Sequence, residues 1–151
     1  MIVESEFKIS SRKKKIYSFE DIGIHWENDF DIVNIINEST APITIVEYII
    51  KLYNFSTKDY DKFFNIKYTT YKDSKNKNEK ANHHILSNAI ALKEIHDLGV
   101  NTFGDKEKFM HWLGKKNIAM GGTSAKEILH TDSGRNIVLA TLHSIEYGMF
   151  A

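Results

Sequence analysis

The sequence predicts an all-α protein, and three features of the chain favour this fold class. Apolar residues recur at intervals of three and four positions along several segments, which places them on one face of a helix. Ser, Thr or Asp precedes these segments, and Gly or Asn follows them, as at the ends of helices. The chain of 151 residues has a single proline. We expect a helix-turn-helix-like N-terminal half followed by a small helical domain.

Composition excludes several kinds of function. The chain has no cysteine, so disulfides, thiol nucleophiles and thiolate metal sites are all ruled out. Twenty Lys and Arg balance twenty Asp and Glu, so nucleic-acid binding would need a local basic patch. No apolar run approaches the roughly 20 residues of a membrane span, and no apolar signal segment stands at the N-terminus. We expect a cytoplasmic protein with no membrane partner.

The N-terminal part of the chain divides at its proline. Residues 1–41 are predicted as an extension of uncertain order, with a short helical pattern only at Phe30, Val33 and Ile36. Pro42 starts a new unit, because the residue before a proline is driven out of helical conformation. Residues 42–99 are expected to form the helix-turn-helix-like domain and residues 100–151 the last domain.

Two short helices are predicted after Pro42, with Thr44 and Ser56 as their caps. Asn65 follows the second helix, and Asn readily adopts the left-handed conformation of a sharp turn. Helix, tight turn and helix is the layout of a helix-turn-helix, whose second helix enters the major groove. Lysines there would contact phosphates and Tyr68 and Thr69 would touch base edges. The candidate DNA-binding residues are Lys67, Tyr68, Thr69, Lys72 and Lys75. A solvated basic surface is the alternative.

Four further helices complete the prediction. A long helix runs from about Lys80 to Leu98, and Gly99 is expected to end it. A short helix capped by Asp105 should place Trp112 and Leu113 in the core. The rest of the chain starts at Gly121 and Gly122, which suit positive φ angles; capped helices then begin near Thr123 and at Thr131, with Gly134 in the last helix and Gly148 ending it.

Catalysis and metal binding have little support in the sequence. None of the seven histidines repeats at the spacing that puts two metal ligands on one helical face. No phosphate-binding glycine loop and no nucleophile elbow is present. We therefore expect a protein that is not an enzyme and holds no metal or cofactor. A metal-assisted hydrolase that uses the histidines is the least favoured alternative.

The C-terminal motifs resemble those of a known family. Phe103-Gly104-Asp105, Trp112-Leu113, Gly121-Gly122-Thr123, Ile128-Leu129-x-Thr131-x-x-Gly134, Val138 and Ile145-Glu146-Tyr147-Gly148 are similar in order and spacing to the toxin-binding domain of the Xre/MbcA/ParS antitoxins. The segment from Phe55 to Tyr71 resembles the helix-turn-helix of that family less closely. Ser124 stands where the family commonly has a proline, and Tyr68 and Thr69 stand where it typically has arginines.

The resemblance implies a type II antitoxin, usually dimeric, that binds a RES-domain toxin and covers its active site. Such toxins consume NAD, and the helix-turn-helix would repress the operon by binding operator DNA. Contact with the toxin is expected near the C-terminus, at Arg135, His143, Glu146, Tyr147, Gly148, Met149 and Phe150. For Arg135, an ion pair on the protein's own surface is an equally weighted alternative. Residues with a structural role in the motifs would be Trp112, Leu113, Gly121, Gly122, Thr123, Thr131 and Gly134. The alternative is a helix-turn-helix transcriptional regulator without a toxin partner.

Overall fold

The fold is mostly helical in the computed structural model, which describes residues 17–38 and 41–148. The chain begins with an antiparallel hairpin, β1 (Tyr17–Phe19) and β2 (Ile24–Trp26). The helices are α1 (Asp29–Glu38), α2 (Ile45–Leu52), α3 (Asp59–Phe64), α4 (Tyr68–Asn76), α5 (His83–Phe103), α6 (Lys106–Gly114), α7 (Ala125–Ile128) and α8 (Asp132–Glu146). The predicted all-α class is confirmed, with the small hairpin as an addition to it. No helix in the described part of the chain is long and apolar enough to cross a membrane.

Helix α5 is the centre of the molecule. It contacts α1, α2, α3, α6, α8 and β1, so elements from both halves of the chain pack against it. Its Leu86, Leu92 and Ile95 are fully buried, as the periodic apolar pattern predicts. Asn82 caps its start, because its side chain accepts a hydrogen bond from the amide of Ile85 at 2.8 Å. One helix therefore joins the N-terminal helices to the C-terminal ones.

The role of Gly99 differs from the prediction. It does not end the long helix, which continues to Phe103 and stops at Gly104, where φ is 89°. Gly99 is needed for packing instead, because a Cβ there would overlap the buried ring of Phe109. The predicted boundary between residues 99 and 100 accordingly falls inside α5.

The predicted N-terminal extension contains core residues. Phe19 and Trp26, one on each strand of the hairpin, are buried, and their rings lie 5.5 Å apart. The indole Nε1 of Trp26 donates a 2.7 Å hydrogen bond to Oε1 of Glu94 on α5. Burial raises the pKa of that carboxyl, and the indole hydrogen bond opposes part of the rise. The hairpin thus belongs to the same core as the rest of the chain.

The cap expected at Thr44 is absent, because the chain turns into α2 one step earlier. Thr44 already has helical angles and makes no capping hydrogen bond with its side chain. The amides of Ile45 and Val46 instead donate to the carbonyls of Pro42 and Ile43, both at 3.1 Å. Those two amides therefore need no side-chain acceptor.

Candidate functional site

Helix α6 is built as the sequence predicts, with one difference. The Asp105 carboxylate caps it by accepting a hydrogen bond from the amide of Lys108 at 2.8 Å. Leu113 is buried in the core, as expected. Trp112 is only half-buried and packs against Phe103, with their ring centroids 5.4 Å apart. The prediction that Trp112 lies in the core is therefore only partly correct, since part of its ring faces the surface.

The double glycine forms a tight turn before α7. Gly121 and Gly122 have φ angles of 71° and 85°, a conformation that residues with a side chain rarely adopt. Ser124 then caps α7 in a reciprocal box: its amide donates to Glu127 Oε2 at 2.8 Å and its hydroxyl accepts from the Glu127 amide at 3.3 Å. The Thr123 hydroxyl donates to the same carboxylate and, with the Ser124 amide, lowers the pKa of Glu127.

Thr131 and Gly134 fix the start of α8. The Thr131 hydroxyl oxygen accepts a hydrogen bond from the Gly134 amide at 2.9 Å, as a cap should. A Cβ at Gly134 would overlap the carbonyl oxygen of Ile128, so only glycine permits this close packing of α7 on α8. Thr131 and Gly134 therefore have a structural role, because they set how α8 begins and how closely it packs on α7.

Arg135 lies inside the protein, which contradicts its prediction as a surface contact. It is 5% exposed, and its guanidinium donates to the Leu129 carbonyl at 3.3 Å and to the Asn88 side-chain oxygen at 3.0 Å. It also pairs with the exposed carboxylate of Asp132. Asn88 in turn donates to the carbonyl of Phe63 at 3.0 Å, so the network links α8, α5 and α3. We therefore remove Arg135 from the candidate contacts.

The last turn of α8 presents a mixed polar and apolar surface. His143 and Glu146 are exposed, with 3.8 Å between Nδ1 of the imidazole and the nearer carboxylate oxygen. Tyr147 is 62% exposed, and Gly148 follows it with a φ of 71°. The candidate contacts His143, Glu146, Tyr147 and Gly148 thus lie together at one end of the molecule. Met149 and Phe150 lie outside the described residues.

A groove runs beside this surface. It has a volume of about 690 Å³ and lies between α8 and the 3₁₀ turn Ile118–Met120, with Phe103 at the end of α5 also lining it. Ile118 is 95% exposed, so almost its whole side chain is accessible to a partner. Ile118 was not among the sequence-predicted contacts. The available signal was a short apolar run, Ile118-Ala119-Met120, between two lysines and the double glycine.

The predicted DNA-binding residues lie on and just before α4. Asn65 makes the expected sharp turn with a φ of 52°, and Tyr71 of α4 packs into the core. The side chains of Lys67, Tyr68, Thr69, Lys72 and Lys75 are exposed, as predicted. Lys75 is held 3.2 Å from a carboxylate oxygen of Glu47, so its charge is partly neutralised within the chain. Lys72 lies 5.6 Å from the centre of the Tyr68 ring.

The histidines do not assemble into a metal centre in the described part of the chain, where no group of three or more acidic or imidazole side chains is placed to hold an ion. His96 is the most buried of them and contacts the rings of Tyr53 and Phe109 edge-on. Its Nδ1 lies 3.2 Å from the carboxylate of Asp97, which Lys93 also binds at 2.9 Å. This arrangement is a packed polar cluster in the helix bundle.

Comparison with known families decides the identity of the C-terminal third. Residues 98–148 match the family model of the antitoxin Xre/MbcA/ParS C-terminal toxin-binding domain. The chain carries an Xre/MbcA/ParS toxin-binding domain. The match begins in the last turns of α5 and includes α6, α7 and α8, so the exposed end of α8 and every residue that lines the groove belong to the Xre/MbcA/ParS domain. No curated protein matches the chain.

Proposed function

We propose that this protein is an antitoxin that binds a RES-domain, NAD-consuming toxin in the cytoplasm and covers its active site. The observation that carries the proposal is the toxin-binding domain at residues 98–148, with exposed side chains gathered at one end of it. Inhibition by occlusion needs no catalytic group in the antitoxin. It needs a rigid surface and a few anchors that exclude water from the contact.

The end of α8 meets these requirements. Leu142, just before the last turn of α8, is completely buried and fixes this part of the helix against the core, so little conformational entropy is lost when the last turn is bound. Tyr147 combines an exposed aromatic ring with a hydroxyl, which is typical of residues that dominate binding energy. We propose His143, Glu146, Tyr147 and Gly148 as toxin contacts, together with Met149 and Phe150 that follow them in the sequence.

The test is cellular NAD in a heterologous host that expresses a RES-domain toxin encoded beside this gene. We expect NAD to collapse with the toxin alone and to recover when this chain is co-expressed. A variant with Tyr147→Ala and a chain ending at Gly148 should each protect less well than the full chain. An NAD level that is indifferent to this chain would contradict the proposed function.

We also propose that the helix-turn-helix-like half binds operator DNA as a homodimer and represses the operon. The exposed face of α4, with Lys67, Tyr68, Thr69, Lys72 and Lys75, supports this second activity. If DNA binding is its only activity, the protein is a transcriptional regulator without a toxin partner. A gene neighbourhood that lacks a RES reading frame would favour that alternative.

The pairing of Lys75 with Glu47 makes the DNA proposal testable at single lysines. Lys72→Ala should weaken operator binding and reduce the dependence of affinity on salt, because one phosphate contact is lost. Lys75→Ala should have the smaller effect, since Glu47 already neutralises part of its charge. Lys106→Ala, on an exposed helix start in the other domain, is the matched control. Equal salt slopes for all three variants and the parent protein would contradict this placement.

A further inference from the structure

The groove beside α8 is apolar although some of its side chains are polar. Thr141 and Ser144 line it, but their hydroxyls donate to the carbonyls of Ile137 and Ala140 on their own helix, at 2.8 and 2.9 Å. The side-chain oxygen of Asn117 accepts from the amide of Ala119 at 2.9 Å. Because these groups are already hydrogen-bonded within the protein, an apolar ligand can enter the groove without breaking any of these hydrogen bonds.

One rim of the groove projects into solvent. Ile118 is 95% exposed, in a turn that two hydrogen bonds hold in shape. The Asn117 side chain caps the turn, and the Gly121 amide donates to the Ile118 carbonyl at 2.9 Å. A rigid, exposed isoleucine beside an apolar groove provides both parts of a docking surface, a projecting anchor and a recess. Lys115 and Lys116, both exposed, come just before the turn in the chain.

The position of the groove within the chain indicates its occupant. Its lining extends from Phe103 to Ile145, which lies wholly within the matched toxin-binding domain at residues 98–148. The groove also reaches the last turn of α8, where the proposed contacts His143 and Glu146 stand. An occupant of the groove is therefore in position to continue onto that surface.

We propose that the groove between α8 and the 3₁₀ turn is the seat of the toxin, and that Ile118 is its main anchor. This inference rests on the proposed function. The toxin segment that it fits carries large apolar side chains for the groove and acidic side chains for Lys115 and Lys116. Ile118 and the groove thereby add a second contact region to the end of α8 and extend the interface along the helix.

The test measures the affinity of two variants for the purified toxin, one that alters the projecting anchor and one that fills the groove. Ile118→Asp replaces the anchor by a charge, and Ala140→Trp fills the groove from an exposed position of α8. Neither site is buried, so both variants are expected to fold, which thermal unfolding checks. Each should weaken binding by about 10-fold to 100-fold, the range typical of anchor residues in interfaces.

Val33→Asp is the matched control, because Val33 is an apolar residue of α1 that is 52% exposed and lies outside the matched domain. It should leave the toxin affinity unchanged. Tight binding of the toxin by both folded groove variants would overturn the groove proposal and leave the antitoxin proposal intact. Failure of the parent chain to bind the toxin would overturn both. If Ile118→Asp instead converts a dimer to a monomer in sedimentation with no effect on the toxin, the groove is a self-interface and the proposal is wrong.

Discussion

Gly99 is a residue where a single added methyl group should lower the stability of the protein. A Cβ there would overlap the ring of Phe109, which is completely buried, and protein cores are closely packed. We expect Gly99→Ala to lower the free energy of unfolding by about 1–3 kcal/mol, because overpacking outweighs the better helix propensity of alanine. Chemical denaturation measures the change.

Gly114 provides the control for that experiment. It is also helical, but a Cβ there meets no atom within 4 Å, and its φ is not positive. Gly114→Ala should therefore stabilise the protein by about 0.4–1 kcal/mol through loss of freedom in the unfolded chain. Equal effects of the two substitutions would show that Gly99 does not have the packing role assigned to it.

Arg135 carries the second prediction at the residue scale. Arg135→Met keeps much of the aliphatic chain but leaves the Asn88 side-chain oxygen and the Leu129 carbonyl without their donor. We expect a loss of about 1–3 kcal/mol in the free energy of unfolding. Lys106→Met, at an exposed position, should change it little. A fully stable Arg135→Met protein that no longer binds toxin would instead restore Arg135 as a contact residue.

The sequence predicts the roles of residues that set local backbone geometry better than it predicts which polar side chains are buried. Asp105, Thr131 and the double glycine act as predicted, because caps and positive φ angles depend on local chain geometry. Arg135 was expected at the surface because charged side chains seldom lie inside. Its burial depends on Asn88, which is 47 positions away, and no local pattern indicates that pairing.

At the scale of elements, the hairpin gives a prediction about pH. Burial raises the pKa of Glu94 above its ordinary value of 4.5, with nearby Asp29 and Asp97 adding to the rise. The folded state therefore binds this proton more tightly than the unfolded state does. The stabilisation from a protonated Glu94 is present at low pH and is lost as pH rises from the ordinary pKa through the raised one.

Glu94→Gln removes this titration and keeps an oxygen that accepts from Trp26 Nε1. We expect the variant to gain stability relative to the parent protein between pH 4 and pH 7.5, as measured by urea denaturation at each pH. Glu107→Gln, on the exposed start of α6, is the matched control. A stability difference between Glu94→Gln and the parent that does not change with pH would contradict the assigned cause.

The elements themselves were predicted with uneven success for physical reasons. Helices α3, α4, α6 and α8 follow from apolar spacing and turn residues close to them in sequence. The hairpin was missed because each strand has three residues and its stability comes from packing on α5, about 70 positions later. The end of α5 was misplaced because the glycine at position 99 serves a tertiary contact, which periodicity does not reveal.

At the scale of the whole molecule, α5 makes the two halves of the chain one structure. It carries Asn88, which binds both Arg135 of α8 and the carbonyl of Phe63 at the end of α3. The toxin-binding domain also begins within α5, at residue 98. The family resemblance located that domain from separated motifs in the sequence, whereas the groove with Ile118 became visible only once α8 and the 3₁₀ turn were placed side by side.

The central claim, that this chain blocks the active site of its toxin, is tested most directly by titration. Purified toxin is incubated with NAD, and NAD consumption is measured while increasing amounts of this protein are added. We expect toxin activity to fall in proportion to the bound fraction and to vanish when every toxin molecule is bound, with Tyr147→Ala shifting the curve to higher concentrations. A toxin that is saturated with this protein and still consumes NAD at its full rate would contradict it.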